Sequence, residues 1–208
     1  MLFLLLWQTL AFAFTPPKDF LDISTIPGVK VELRYATENN FMKRNVYGDF
    51  RTAYLQKIAF QKLEKAAAAL AKEKPGYQLL VLDAMRPRSV QRVLFSYVKG
   101  TPQEDYVANP DTGSVHNYGF AVDLTVIDAK GKELDMGTPY DDFTKLAEPQ
   151  HEKAFLKDGQ LTKAQLENRL ILRRAMESAG FKVLPNEWWH FDAMSVANAK
   201  KAKHKIVE

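Results

Sequence analysis

The sequence predicts a single α+β domain, with a central, mainly antiparallel sheet flanked by helices. Three observations carry that expectation. Two segments repeat apolar residues at helical spacing, and several short runs are rich in β-branched and aromatic residues. The two kinds follow one another without strict strand–helix alternation. No internal repeat, heptad or low-complexity tract interrupts the pattern.

Taken in order, Val29-Lys-Val-Glu-Leu33 alternates as a short strand does and leads into Arg34-Tyr-Ala-Thr37. Leu55, Ile58, Ala59, Leu63, Ala67 and Leu70 share one face of a helix expected from about Thr52 to Lys72, closed by Pro75-Gly76. Gln78-Leu-Leu-Val-Leu82 reads as a buried strand, and residues 89–98 as the next helix. Thr-Pro, Asn-Pro and Asp-Thr-Gly make residues 100–113 a loop. Phe120 to Ile127 is a second apolar strand, and residues 128–160 are expected to be irregular. Thr162-Lys-Ala-Gln165 forms a capping box for a helix that runs to Ala179 and stops at Gly180. Phe181–Val183 and Trp188–Asp192 suggest a hairpin across Pro185-Asn186.

Composition narrows the chemistry. A chain of 208 residues can bury about 70% of its extended surface without disulfides. It contains no cysteine, so any zinc must rest on histidine and carboxylate. The net charge of +4 is spread out, and no basic face with interleaved aromatics points to nucleic acid. Residues 196–208 form a basic tail, expected to be solvated and frayed. Residues 1–14 are apolar and uncharged, too short for a membrane anchor but like a signal-peptide core before Ala11-Phe-Ala13, although the usual basic front is missing. The expectation is a leader over 1–14, a linker and N-terminal segment over 15–28 and a domain over 29–195. Location would then be periplasmic or secreted, or cytoplasmic if the leader is not cleaved.

The chemistry-bearing residues cluster in two places. Ser114-Val-His116-Asn-Tyr-Gly-Phe-Ala-Val-Asp123 sets a histidine seven residues before an aspartate, and Glu187-Trp-Trp-His190 adds a second histidine beside a carboxylate. His116, Asp123 and His190 make a three-ligand zinc set that leaves a position for water, with Glu187 as the base that works on it. Seven is an odd separation, so His116 and Asp123 can share a metal only if His116 lies on a loop before the strand. For the same reason Glu187 must sit at a bend. Asp123 interrupts an apolar strand, where an unpaired carboxylate is costly. Arg86, in Asp83-Ala-Met-Arg86-Pro87, is open to two readings: a structural ion pair with Asp83, or a fixed cation for a developing oxyanion.

These motifs resemble the zinc D-alanyl-D-alanine dipeptidases, within the wider group that also holds zinc D,D-carboxypeptidases and the hedgehog signalling domain. Leu134-Asp-Met-Gly-Thr-Pro-Tyr-Asp141 and Arg34-Tyr-Ala-Thr37 resemble the dipeptidase branch in particular. The resemblance implies one zinc ion on His116, Asp123 and His190, with Glu187 as base and acid and Arg86 as transition-state cation. It further implies that Asp141 pairs with the substrate ammonium and that Ser114 and Tyr35 line the pocket. The implied reaction is hydrolysis of D-Ala-D-Ala, with no obligatory protein partner. A D,D-carboxypeptidase acting on longer stems and a non-catalytic hedgehog-like zinc domain are the alternatives. Asn117-Tyr118 departs from the Ser-Arg type of pair expected there.

Overall fold

The computed structural model describes residues 16–208. The expected leader over residues 1–14 lies outside them. Seven strands and five helices are described: β1 (Phe20–Asp22), β2 (Val29–Val31), β3 (Tyr54–Gln56), α1 (Lys57–Glu73), β4 (Gln78–Asp83), α2 (Arg88–Val98), β5 (Ala121–Ile127), α3 (Glu152–Lys157), α4 (Lys163–Ser178), β6 (Lys182–Leu184), β7 (Glu187–Asp192) and α5 (Val196–Lys201). The main sheet has the order β2-β4-β5-β7-β6, and β1 pairs with β3 in a separate two-stranded ribbon. Only β2–β4 is parallel in the main sheet, so the expected α+β architecture is observed.

β5 is buried at every position, as a central strand flanked on both sides must be. Its neighbours β4 and β7 supply the other walls of the site, through the cross-strand rows Asp83–Asp123 and Asp123–His190. α1 and α4 pack on the sheet through Leu63, Leu70, Leu172 and Met176, all inaccessible to solvent. Among the described residues no helix is long and apolar enough to cross a membrane.

Three expectations need correction. The first helix starts at Lys57, not near Thr52, because Tyr54–Gln56 pairs with Phe20–Asp22 instead. Leu55 is therefore buried from a strand, and Ile58, expected on the core face, is 42% exposed. Within the irregular 128–160 stretch, Glu152–Lys157 is helical, and its Glu152 carboxylate accepts from Arg173 on α4 (3.0 and 2.7 Å). The basic tail is not frayed throughout: residues 196–201 are helical and Val207 is buried against Phe20 and Met85. The capping box of α4 forms as expected, with Thr162 Oγ1 accepting from Gln165 N–H at 3.2 Å and Gln165 Oε1 accepting from Thr162 N–H at 2.9 Å. Gly180 takes the left-handed conformation that ends that helix (φ 86°).

Candidate metal centre and its cavity

His116 lies on a 3-10 turn, Val115–Tyr118, between the loop 100–113 and β5. Ser114 caps the turn: its Oγ accepts from His116 N–H at 3.3 Å, and its own N–H donates to Asn117 Oδ1 at 2.8 Å. Gly119 ends the turn at φ 70°, and a Cβ there would stand 2.3 Å from Phe20 Cε1 and 3.2 Å from Gln56 N. A side chain is excluded on both grounds. The turn reverses the odd spacing, so His116 and Asp123 reach the same point from opposite ends of a loop–strand junction.

A second irregularity brings in Glu187. Leu184 pairs with Glu187 while Val183 pairs with Phe191, so extra residues of β7 bulge opposite β6. The strand's simple alternation is broken there. Glu187 Oε2 comes within 3.8 Å of His190 Nδ1, as the bend required.

Three atoms converge. His190 Nδ1 lies 3.0 Å from Asp123 Oδ1, and His116 Nε2 lies 3.2 Å from His190 Nδ1 and 3.3 Å from Asp123 Oδ1. The outer nitrogens are already committed. His116 Nδ1 donates to the Ala84 carbonyl at 2.6 Å, and His190 Nε2 donates to Asp192 Oδ1 at 2.9 Å. Both inner nitrogens thus present lone pairs toward a carboxylate oxygen. That grouping favours a cation between the three atoms, and it is the cluster among the described residues that could hold a metal ion. Tetrahedral ligands at about 2.0–2.1 Å from zinc stand about 3.3 Å apart, close to the sides of this triangle. Burial works against an ionised Asp123, but His116 and His190 outweigh it and hold its carboxyl well below the usual range. Burial also opposes a charged His190, yet Asp123 and Asp192 raise it. The pocket attracts positive charge.

Around the triangle lies a cavity of about 340 Å³, lined by Tyr35, Arg86, Ser114, Asp141 and Glu187 together with the three converging residues. Every site residue expected from sequence therefore reaches one cavity. Glu187 is 7% exposed, and burial pushes its carboxyl up to about 7. Arg86 donates through Nε and Nη2 to Asp83 Oδ2 (2.9 and 2.7 Å) and through Nη1 to Gln91 Oε1 (2.9 Å). Its Nη2 also stands 3.6 Å from Asp123 Oδ2, and the guanidinium lies 5.0 Å over the Tyr35 ring. Arg86 is thus paired with Asp83, as one reading expected, and it also lines the cavity. Asp141 is half-buried in a left-handed conformation (φ 60°), accepting from Tyr35 Oη–H at 3.1 Å and Phe41 N–H at 3.2 Å. Burial and the nearby Asp123 raise its carboxyl well above the usual range.

Several contributors went unread in the sequence. Asp192 was legible, because His190-Phe-Asp192 places two side chains on one face of a strand. Tyr140, whose hydroxyl donates to Asp123 Oδ2 at 3.2 Å, stands beside Asp141 in the motif already noted, whereas Gln91 and Tyr47, which bracket the Arg86–Asp83 pair, come from distant segments with no local signal.

A family model described as D-ala-D-ala dipeptidase matches residues 18–207. The chain belongs to the D-ala-D-ala dipeptidase family. Proteins named D-alanyl-D-alanine dipeptidase resemble it over most of its length. The one from Escherichia coli (strain K12) is 32% identical over 181 residues, covering 86% of this chain and 87% of that protein. Those from Enterococcus faecium and Enterococcus faecalis (strain ATCC 700802 / V583) are 30% and 29% identical, each covering 83% of this chain and 89% of the relative. Among the described residues, the His116–Asp123–His190 cluster could hold a metal ion.

Proposed function

We propose that the protein hydrolyses D-alanyl-D-alanine to two D-alanines, with one zinc ion held by His116 Nε2, Asp123 Oδ1 and His190 Nδ1. The observation that carries this reading is the triangle of three lone-pair atoms, 3.0–3.3 Å apart, with the Glu187 carboxylate at its edge. The names of the relatives support the substrate.

A bound zinc ion supplies Lewis acidity and makes water a better nucleophile near neutral pH. The protein's own groups do the rest. Glu187, desolvated at the cavity wall, takes a proton from the attacking water and later returns it to the leaving nitrogen as the amide C–N bond breaks. Arg86, locked between Asp83 and Gln91, holds positive charge at the place where the carbonyl oxygen becomes negative. Asp141, with Tyr35 on one oxygen and Phe41 N–H on the other, receives the substrate ammonium, and Ser114 lines the pocket beside the His116 turn. The Asp141 carboxylate left without a cation disfavours longer peptides whose amine is acylated.

Purified protein incubated with D-Ala-D-Ala and with N-acyl-D-Ala-D-Ala tests the reading. Release of D-alanine from the free dipeptide is expected, with the acylated form a poor substrate. Cleavage of the acylated form alone would establish the carboxypeptidase alternative. No cleavage of either by zinc-loaded protein would leave a binding domain. Export through residues 1–14 belongs to the same proposal, and N-terminal sequencing of protein recovered from cells should find no Met1 in the mature pool.

A further inference from the structure

We propose that residues 204–208 act as a positioning strap that fixes the His116 turn against the Arg86 turn. The idea rests on the roles given above to His116 and Arg86. It starts from the backbone of Val207, which bridges two loops far apart in sequence. Val207 N–H donates to the Asn117 carbonyl at 2.8 Å, and the Val207 carbonyl accepts from Arg88 N–H at 2.8 Å. Asn117 follows His116 directly, and Arg88 is two residues beyond Arg86. Inside that bridge the two turns are also joined to each other. Arg86 N–H donates to the His116 carbonyl at 3.1 Å, and Asn117 Nδ2 donates to the Arg86 carbonyl at 2.8 Å.

The strap is anchored along its length. Val207 is 7% exposed, against Phe20 and Met85. Ile206 covers Gly113, where an added Cβ would come within 2.7 Å of Ile206 Cδ1. The His204 ring packs edge-on to Phe120 at 4.8 Å and lies 3.3 Å from Gln56 Nε2. Glu208 pairs with Arg88 at the start of α2. Lys203 turns the chain into the strap at φ 60°, with His204 N–H reaching back to the Ala199 carbonyl at 3.0 Å. A residue other than glycine in that conformation persists where its surroundings hold it.

Neither the His116 turn nor the Arg86 turn belongs to a long element. His116 sits on four residues of 3-10 helix, and Arg86 lies between β4 and α2. Such segments owe their position to what packs on them. None of residues 204–208 lines the cavity, so the strap touches the two turns without entering it.

The test compares the full chain with a chain ending at Lys203, with Val207→Asp, and with Lys205→Ala as an exposed control. Zinc release to a chromogenic chelator, kcat and KM on D-Ala-D-Ala, and amide hydrogen exchange over residues 114–119 are measured. Both strap variants are expected to release zinc about 10-fold faster or more, and to lose kcat by a similar factor while KM changes little. Exchange over 114–119 should rise, and Lys205→Ala should match the parent. Should the shortened chain fail to fold, Val207→Ala keeps both backbone bonds, trims the anchor, and must show the same shifts in smaller measure well below its Tm. A folded strap variant with parental zinc release, kcat and exchange overturns the proposal. If the parent neither holds zinc nor cleaves the dipeptide, the functional reading fails instead, and exchange over 114–119 alone decides whether the strap positions the turn.

Discussion

His190 Nε2 faces Asp192 Oδ1 at 2.9 Å, two residues further along the same strand, and this pair decides which ring nitrogen is free. With Nε2 protonated, Nδ1 turns its lone pair to the point where His116 Nε2 and Asp123 Oδ1 also aim. The tautomer is thereby set by a carboxylate that does not itself join the triangle.

Replacing that carboxylate should loosen the metal without removing a ligand. Asp192→Ala is expected to lower zinc affinity by about 10–100-fold, read by competition with a chelator of known affinity. Affinity equal to the parent's would show that the pair does not orient His190.

Gly119→Ala probes the turn that makes the odd spacing workable. The added Cβ meets Phe20 and the Gln56 backbone, at a φ that other residues rarely adopt. Strain of that kind costs about 1–3 kcal/mol, and overpacking adds to it. Denaturant unfolding of the zinc-free protein should show a loss of at least the lower figure. An unchanged midpoint would mean that the turn relaxes freely.

Arg86→Lys keeps a positive charge but cannot reach Asp83 and Gln91 together while facing the cavity. Loss of a preorganised donor to the developing oxyanion lowers kcat by about 10²–10³-fold, with zinc content unchanged. A variant with parental kcat would reduce Arg86 to its structural pairing with Asp83.

Tyr106, on the cavity wall, gives a pH signature. Burial, and then its hydrogen bond to Glu148 Oε1 at 2.9 Å, push its phenol up to about 12. Its folded value is thus raised above the unfolded one of about 10. The neutral phenol is favoured by folding, so its stabilisation is complete below about pH 10 and is lost as pH rises toward 12. Tyr106→Phe should flatten the decline of stability across that window, followed by thermal melts at stepped pH. An equal decline in both proteins would place the alkaline sensitivity elsewhere.

Much of the fold was legible because its signals are local. The capping box at Thr162 and the glycine stop at Gly180 fix α4 within a few residues, and the apolar run before Ile127 can only be a buried strand. The start of α1 was not legible. Leu55 satisfies helical spacing, yet strand pairing with β1 claims it, and pairing between distant segments leaves no local trace. The same distinction applies to the site. His116, Asp123, His190 and Glu187 carry their chemistry in their residue types, whereas Tyr47 and Gln91 matter only through tertiary placement. The docking of Val207 was hidden for a further reason: a run of lysines before it reads as solvated, and one buried valine does not alter that pattern.

The central claim is that His116, Asp123 and His190 jointly hold one zinc ion on which dipeptide cleavage depends. Its most direct test is to strip the protein with a chelator and titrate zinc back while following D-alanine release from D-Ala-D-Ala. Negligible activity is expected at the start, then a linear rise to one equivalent per chain and a plateau beyond, with no such rise in His116→Ala. Full activity in the stripped protein, or a titration indifferent to His116, would contradict it.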